Sequence, residues 1–151
     1  RHRIPLIGLN VPRSISRKVA REGFAALTPK ERQALPSGVT CSVDPVYREF
    51  IRQAYAEHDG SEKPFDYFCE AQMLWNRGMG RNLREFLGKN PGITVVVLAG
   101  VGHAMKRGIP EEVFQGTGTS YRVILPESPN FDRGKATRRD ADYLLLSCKE
   151  D

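Results

Sequence analysis

The sequence predicts an α/β domain in which a mostly parallel sheet is flanked by helices. Short apolar segments at residues 4–9, 93–99, 121–125 and 143–146 have the length of β-strands. Segments with helical spacing of apolar residues lie between them, and strands that alternate with helices favour parallel pairing. Four short strands are few for a complete doubly wound sheet. Residues 1–151 are therefore expected to form one domain that lacks its N-terminal portion.

Start signals predict where the helices begin. Ser14 is a candidate N-cap for a first helix over residues 14–22. Residues 28–31, Thr-Pro-Lys-Glu, have the spacing of a capping box. Asp44, which precedes a proline, begins the next helix by the same logic, and a longer helix is expected over residues 65–87. A further proline, at position 110, predicts a short helix after the central strand.

Composition indicates an ordinary globular protein, with 40% hydrophobic and 27% charged residues. No apolar run reaches eighteen residues, so no membrane-spanning helix is predicted. The net charge of +5 is spread along the chain without alternating aromatic residues, so it is interpreted as a solvated basic face, and nucleic acid is not an expected partner. Cys41, Cys69 and Cys148 lack Cys-x-x-Cys spacing and are interpreted as buried free thiols.

The long predicted helix carries two amides on an apolar face. Gln72, Asn76 and Met79 are spaced four and three residues apart, so they share one side of the helix. A buried amide without a hydrogen-bond partner costs about 1–3 kcal/mol. Two interpretations therefore remain open: the amides bond to nearby backbone, or they line a ligand pocket.

A histidine follows the central apolar segment in the sequence Gly100-Val101-Gly102-His103. Open α/β folds place their sites at the carboxyl ends of strands, and the glycines permit a sharp turn and a close approach of a ligand. Histidine at such a turn is able to bind a metal or act as a base. A hydrogen-bonded structural histidine is an equally good interpretation, since no second ligand lies at zinc-site spacing. The third glycine of a dinucleotide fingerprint is also missing.

Two tyrosines and a second histidine complete the set of candidate residues. His58 continues the apolar face that includes Tyr55, and Tyr67 lies near the start of the long helix. Phenolate oxygen and imidazole nitrogen are both ligands of haem iron in proteins. Core-facing amphipathic side chains are the alternative interpretation. Cys-x-x-Cys-His is absent from the sequence, so covalent c-type haem is not expected.

Segments that cover nearly the whole chain resemble a known family in order and in motif. They are residues 4–13, 47–58, 71–79, 97–103 with 108–110, and 141–143. Together they resemble the ChaN-like haem-binding family, which comprises iron-regulated lipoproteins of bacterial envelopes. The family is distantly similar to erythromycin-esterase-like and TIKI proteins, which share the Gly-x-x-His motif. The family's earlier Gly-Glu-x-His segment has no counterpart here, and Asn76 stands where the family usually has aspartate.

The resemblance implies a haem-binding protein of iron or haem uptake or storage, with haem held across a homodimer. It implies a place in the bacterial envelope, periplasmic or attached to the membrane through an N-terminal lipid anchor outside this sequence. A tyrosine would coordinate the iron and a histidine would support it, with Tyr67 and His103 as the first candidates for the metal. The other residues implied at the haem site are Tyr55, His58, Gln72, Asn76, Met79 and Arg77, the last of which would pair with a propionate.

The competing hypothesis is an enzyme, a metal-dependent hydrolase of the Gly-x-x-His type with His103 as ligand or base of a divalent metal. Such a site needs three or four ligands, and the sequence supplies too few at recognisable spacing. A binding protein is therefore favoured over an enzyme. A third hypothesis, a basic module for nucleic acid or anionic lipid, rests on charge alone.

Overall fold

The computed structural model describes residues 4–57, 63–128, 131 and 134–146. Helices make up about half of this part of the chain, and two short strands follow them. The helices are α1 (Arg13–Glu22), α2 (Pro29–Gln33), α3 (Pro45–Glu57), α4 (Phe65–Lys89), α5 (Val101–Ala104) and α6 (Ile109–Phe114), with a 3-10 turn at Phe24–Ala26. The strands are β1 (Ile124–Pro126) and β2 (Tyr143–Leu145).

Helix α4 is the central support of the fold, because α1, α3 and α6 all pack against it. Its apolar residues contribute to two buried clusters, one with α1 and α3 and a smaller one with α6. Two glycines in α4 permit close packing. A Cβ at Gly78 would overlap Cγ1 of Val11, and one at Gly80 would lie 3.0 Å from Cβ of Glu112. Neighbouring segments of the protein therefore approach α4 closely at these two glycines.

The helix starts follow local capping chemistry in two of three cases. Thr28 Oγ1 accepts the backbone N–H of Glu31 at 3.2 Å, and Glu31 accepts the backbone N–H of Thr28 at 2.7 Å, which confirms the capping box. Asp44 Oδ1 accepts the backbone N–H of Val46 at 2.9 Å and begins α3 as predicted. Ser14 is not an N-cap: α1 begins at residue 13 after Pro12, whose fixed φ makes it compatible with a helix start.

The two strands confirm parallel pairing and the α/β class. Ile124 pairs with Tyr143, and the pairing continues over three residues of each strand. Residues 4–9 and 93–99 were expected to form strands, but the backbone of these segments is not in a β-strand. Ladder hydrogen bonds need a neighbouring strand, and within the described ranges the paired strands are β1 and β2. Alternate residues of 93–99 nevertheless pack on the smaller cluster, while Val96 and Leu98 are 81% and 92% exposed.

A disulfide joins Cys41, in the loop before α3, to Cys69 in α4, with the two Cα atoms 5.4 Å apart. The interpretation of these two residues as free thiols was wrong. Spacing along the chain reports only on local motifs, whereas this pair is 28 residues apart and is brought together by the packing of α4. Cys148 lies outside the described residues. None of the helices in the ranges given above is both long and apolar enough to cross a membrane.

Candidate functional site

A chain of hydrogen bonds links α3, α4 and α5 at the predicted histidine. Asn76 of α4 is 1% exposed. Its side-chain amide forms two hydrogen bonds, one through its nitrogen and one through its oxygen. Its Nδ2 lies 2.9 Å from Oη of Tyr47, and its Oδ1 lies 2.7 Å from Nδ1 of His103. Tyr47 Oη in turn donates to the carbonyl oxygen of Gly102 at 2.8 Å. The amide that the sequence placed on an apolar helix face therefore has partners from two other helices.

Close packing at two glycines holds His103 in place. Gly100 precedes the single turn of α5, which contains His103, so the expected glycine turn is partly helical. A Cβ at Gly102 would lie 2.8 Å from the ring of Phe50, and a Cβ at Gly108 would overlap the carbonyl of His103. Larger residues at these positions would displace the helical turn from α3 and from α6.

Burial sets the charge of the two aromatic residues in this network. It lowers the pKa of His103 to about 4, so the imidazole is neutral at pH 7. It raises the pKa of Tyr47 to about 12, so the phenol keeps its proton. The ring of Trp75 meets the His103 ring edge to face, with centroids 5.5 Å apart. The site thus presents a neutral, half-buried imidazole.

The two tyrosines that the sequence singled out lie elsewhere. Tyr55 is half-buried in α3, where its ring packs against Phe65 and Phe68 and its hydroxyl donates to the carbonyl of Lys63. Tyr67 is half-buried in α4, and its ring packs beside Gly23, which follows α1. Tyr67 precedes Asn76 by nine residues, which is about 13 Å along the helix and roughly the opposite side of it. The structure does not bring Tyr67 and His103 together.

The other predicted site residues are distributed around α4. Gln72 is half-buried, and its side chain makes no hydrogen bond within the described part of the chain. Met79 is 6% exposed and packs in the smaller core cluster. Arg77 Nε lies 3.3 Å from Glu112, and its Nη1 donates to the carbonyls of Ser37 and Gly38. His58 lies outside the described residues.

A cavity of about 480 Å³ opens beside Tyr47, within the size range of small-ligand sites. Its rim is strongly charged. Arg107 there pairs with Asp44 and with the buried Asp140, whose Oδ1 is 2.9 Å from Arg107 Nε. Burial and the adjacent carboxylate of Glu112 raise the pKa of Glu111. The complete lining is Ser42, Val43, Asp44, Tyr47, Met73, Arg77, Arg84, Arg107, Glu111, Glu112 and Gln115.

The donor set does not fit a hydrolytic divalent metal. Within residues 4–57, 63–128, 131 and 134–146, no group of three His, Cys, Asp or Glu side chains is arranged to hold a metal ion. His103 does fit a single-nitrogen ligand of haem iron. Its Nδ1 is bonded to Asn76, while no bond joins its Nε2 to another residue in those ranges.

Sequence reasoning missed the part that Tyr47 plays. Its position among the apolar residues of α3 is typical of a core residue, and its side chain is 2% exposed. The available signal was the hydroxyl, because a buried tyrosine usually needs a hydrogen-bond partner. The pairing of Arg107 with Asp140 was also missed, since neither residue belongs to a recognisable motif.

Comparisons with known proteins agree with this architecture. A family model described as "Haem-binding uptake, Tiki superfamily, ChaN" matches residues 1–113. No curated protein matches the sequence. Among solved structures, the chain is similar to one described as "Cofacial heme binding to ChaN of Campylobacter jejuni", with 21% identity and a TM-score of 0.58.

That similarity covers 91% of this chain and 49% of the Campylobacter chain, so the present chain spans about half the length of that protein. At this identity the likeness shows the fold. The family model, in contrast, matches well over half of the sequence, including Asn76 and His103. The chain therefore belongs to the ChaN family of haem-binding uptake proteins in the Tiki superfamily.

Proposed function

We propose that this protein binds haem for uptake or storage of haem iron and that His103 is a ligand of the iron. The observation that carries the proposal is the state of the His103 ring. It is neutral, held at Nδ1 by the Asn76 amide at 2.7 Å, and without a partner for Nε2 among the residues described. Neutral imidazole nitrogen is a ligand of iron, and haem bound here would supply the metal centre.

A tyrosine is the second ligand in this proposal, and Tyr47 is a poor candidate for it. Its hydroxyl already donates to Gly102 and accepts from Asn76, and its pKa of about 12 opposes formation of a phenolate. Tyr67 and Tyr55 are half-buried and remain the candidates. Because Tyr67 and His103 lie on different sides of α4, one iron that binds both would draw them from two copies of the chain. This supports a homodimer with haem at its interface.

The disulfide supports a place in the bacterial envelope, which is part of the same proposal. Disulfides persist in oxidising compartments such as the periplasm and are rare in the bacterial cytosol. Cys69 is buried in the main core and Cys41 packs against that core from the loop before α3, so their bond is structural in character. Attachment to the membrane by a lipid anchor is proposed from family membership alone.

Further β-strands of the same domain are proposed to complete the sheet. The support is the exposure of large apolar side chains on the two segments expected as strands: Leu6 is 93% exposed and Leu98 is 92% exposed. Such side chains are typical of a sheet face that another layer covers. The hydrolase alternative has no comparable observation in its favour.

A haemin titration followed by visible absorption tests the proposed function. We expect a saturable Soret shift, a loss of affinity in His103→Ala, and a change of spectrum in Tyr67→Phe or Tyr55→Phe. Tyr121→Phe is the matched control, because Tyr121 stacks on Phe114 with centroids 4.6 Å apart, away from the His103 network. Sedimentation with and without haemin tests the dimer. A titration without saturation would overturn haem binding, and an unchanged His103→Ala affinity would overturn the ligand assignment.

A further inference from the structure

We infer that Tyr47 and Asn76 are positioning residues that place the proton of His103 on Nδ1 and leave Nε2 with a free lone pair. The inference deepens the proposed function, because it explains how His103 would be prepared as a ligand. It is argued from the directions of three hydrogen bonds.

The direction of the network is set at the carbonyl of Gly102. A carbonyl oxygen only accepts hydrogen bonds, so the Tyr47 hydroxyl, 2.8 Å away, must donate its single proton to it. The phenol oxygen has no second proton and is able only to accept from the Asn76 side chain at 2.9 Å. The Asn76 atom that faces Tyr47 is therefore the NH₂ group.

This assignment fixes the other half of the amide. Asparagine nitrogen and oxygen are told apart by their partners rather than by their shape, and here Tyr47 supplies the decisive partner. Oδ1 of Asn76 consequently faces Nδ1 of His103 at 2.7 Å. An amide oxygen only accepts, so Nδ1 carries the proton. A neutral imidazole has a single N–H, so once Nδ1 carries the proton, Nε2 is the unprotonated nitrogen.

The rigid setting of the three residues makes the arrangement effective. Tyr47 lies in the first turn of α3, and Asp44 accepts its backbone N–H at 3.3 Å. Asn76 is buried in the middle of α4. Hydrogen-bond partners that lie on separate packed helices limit rotation of the imidazole. The groups that bond to the other ring nitrogen of metal-binding histidines have the same effect.

An amide and a carboxylate at position 76 have different consequences. Aspartate would still accept from Nδ1 of His103, but it has no N–H to donate to the Tyr47 oxygen. It would also place a negative charge beside the imidazole and favour the protonated ring. Asparagine sets the tautomer without adding charge.

Nitrogen-15 NMR of histidine-labelled protein without haem tests the inference. At pH 7 we expect the His103 signals of the tautomer with a protonated Nδ1 and an unprotonated Nε2, assigned by their loss in His103→Gln. In Tyr47→Phe the ratio of the two tautomers should shift about five-fold, the ratio that corresponds to one ordinary hydrogen bond. In Asn76→Asp, Nδ1 should stay protonated and the imidazolium fraction should rise. Tyr121→Phe should leave the ratio unchanged.

Two results would overturn the inference: an Nε2-protonated His103 in the unmodified protein, or a tautomer ratio that Tyr47→Phe does not move while circular dichroism stays unchanged. If Tyr47→Phe does not fold, the tautomer of the unmodified protein and the Asn76→Asp spectrum decide the matter. Because the measurement uses no haem, its failure is distinct from failure of haemin binding.

Discussion

Lowering the pH from 7 to 4 should destabilise this protein through His103. The folded-state pKa of the residue is about 4, below its ordinary value of 6.5, because burial disfavours the imidazolium. Between these two values the unfolded chain binds more protons than the folded one. The free energy of unfolding therefore rises with pH across this interval. The contribution of His103 to it is lost as the pH falls from 6.5 to 4.

The magnitude follows from the two pKa values. A difference of about 2.5 pKa units, at about 1.36 kcal/mol per unit, corresponds to at most about 3 kcal/mol, since the ring is not wholly closed to solvent. The carboxylates of Asp44, Asp140 and Asp142 have pKa values below their ordinary 3.8, so they lose their charge at lower pH than this interval. As the pH falls, the His103 effect therefore precedes the loss of these three carboxylate charges.

Urea denaturation at pH steps from 7.5 to 4.5, read by circular dichroism, measures the effect. His103→Gln is the matched control, because glutamine is polar and does not titrate. The difference between the two proteins isolates His103, since the other titrating groups, Glu111 included, are present in both. A pH-independent difference between the two proteins would refute the reasoning that burial of a neutral His103 costs stability in acid.

The remaining predictions concern stability, and each is measured by urea denaturation or thermal melting. Cys69→Ser should lose roughly 3.5 kcal/mol, because the disulfide closes a loop of 28 residues, and a reductant should then have no further effect. Gly78→Ala should cost about 1–3 kcal/mol through overlap with Val11, and combining it with Val11→Ala should recover part of that loss; simple additivity would contradict the packing. Asp140→Asn should cost about 1.5–3 kcal/mol, because it removes the buried partner of Arg107 and leaves that arginine paired only with the more exposed Asp44. Glu49→Gln, at an exposed ion pair, should cost less than about 1 kcal/mol; equal losses would count against the role of burial.

Local chemistry explains why the helices were predictable. The Thr28 capping box and the Asp44 cap depend on residues three or fewer positions away, so the sequence displays them directly. The spacing of apolar residues along α4 is equally local. Strand pairing and the disulfide depend on distant partners. Residues 93–99 have the composition of a strand, yet a ladder needs a second strand that the segment itself does not specify.

The same distinction applies to the candidate site. Asn76 stood out because an amide on an apolar face needs a partner, and His103 stood out because it follows two glycines. That these two residues bond to each other depends on how α5 packs against α4. Tyr47 was hidden among apolar neighbours, since its hydroxyl matters only once Gly102 lies beside it. Tyr67 precedes Asn76 by nine residues, so the helical repeat places the two side chains on different sides of α4.

The bare apolar segments have a practical consequence for work in solution. Leu6, Val96 and Leu98 are 81–93% exposed and belong to segments that form no strand ladder with the described part of the chain, which is the kind of surface that adds strands from other molecules. Concentrated samples should self-associate and gain β-structure even without haem. An increase in particle size is therefore not sufficient evidence of the haem-linked dimer. A lysine at position 98 should suppress this aggregation, because charged side chains on exposed strand edges oppose intermolecular pairing.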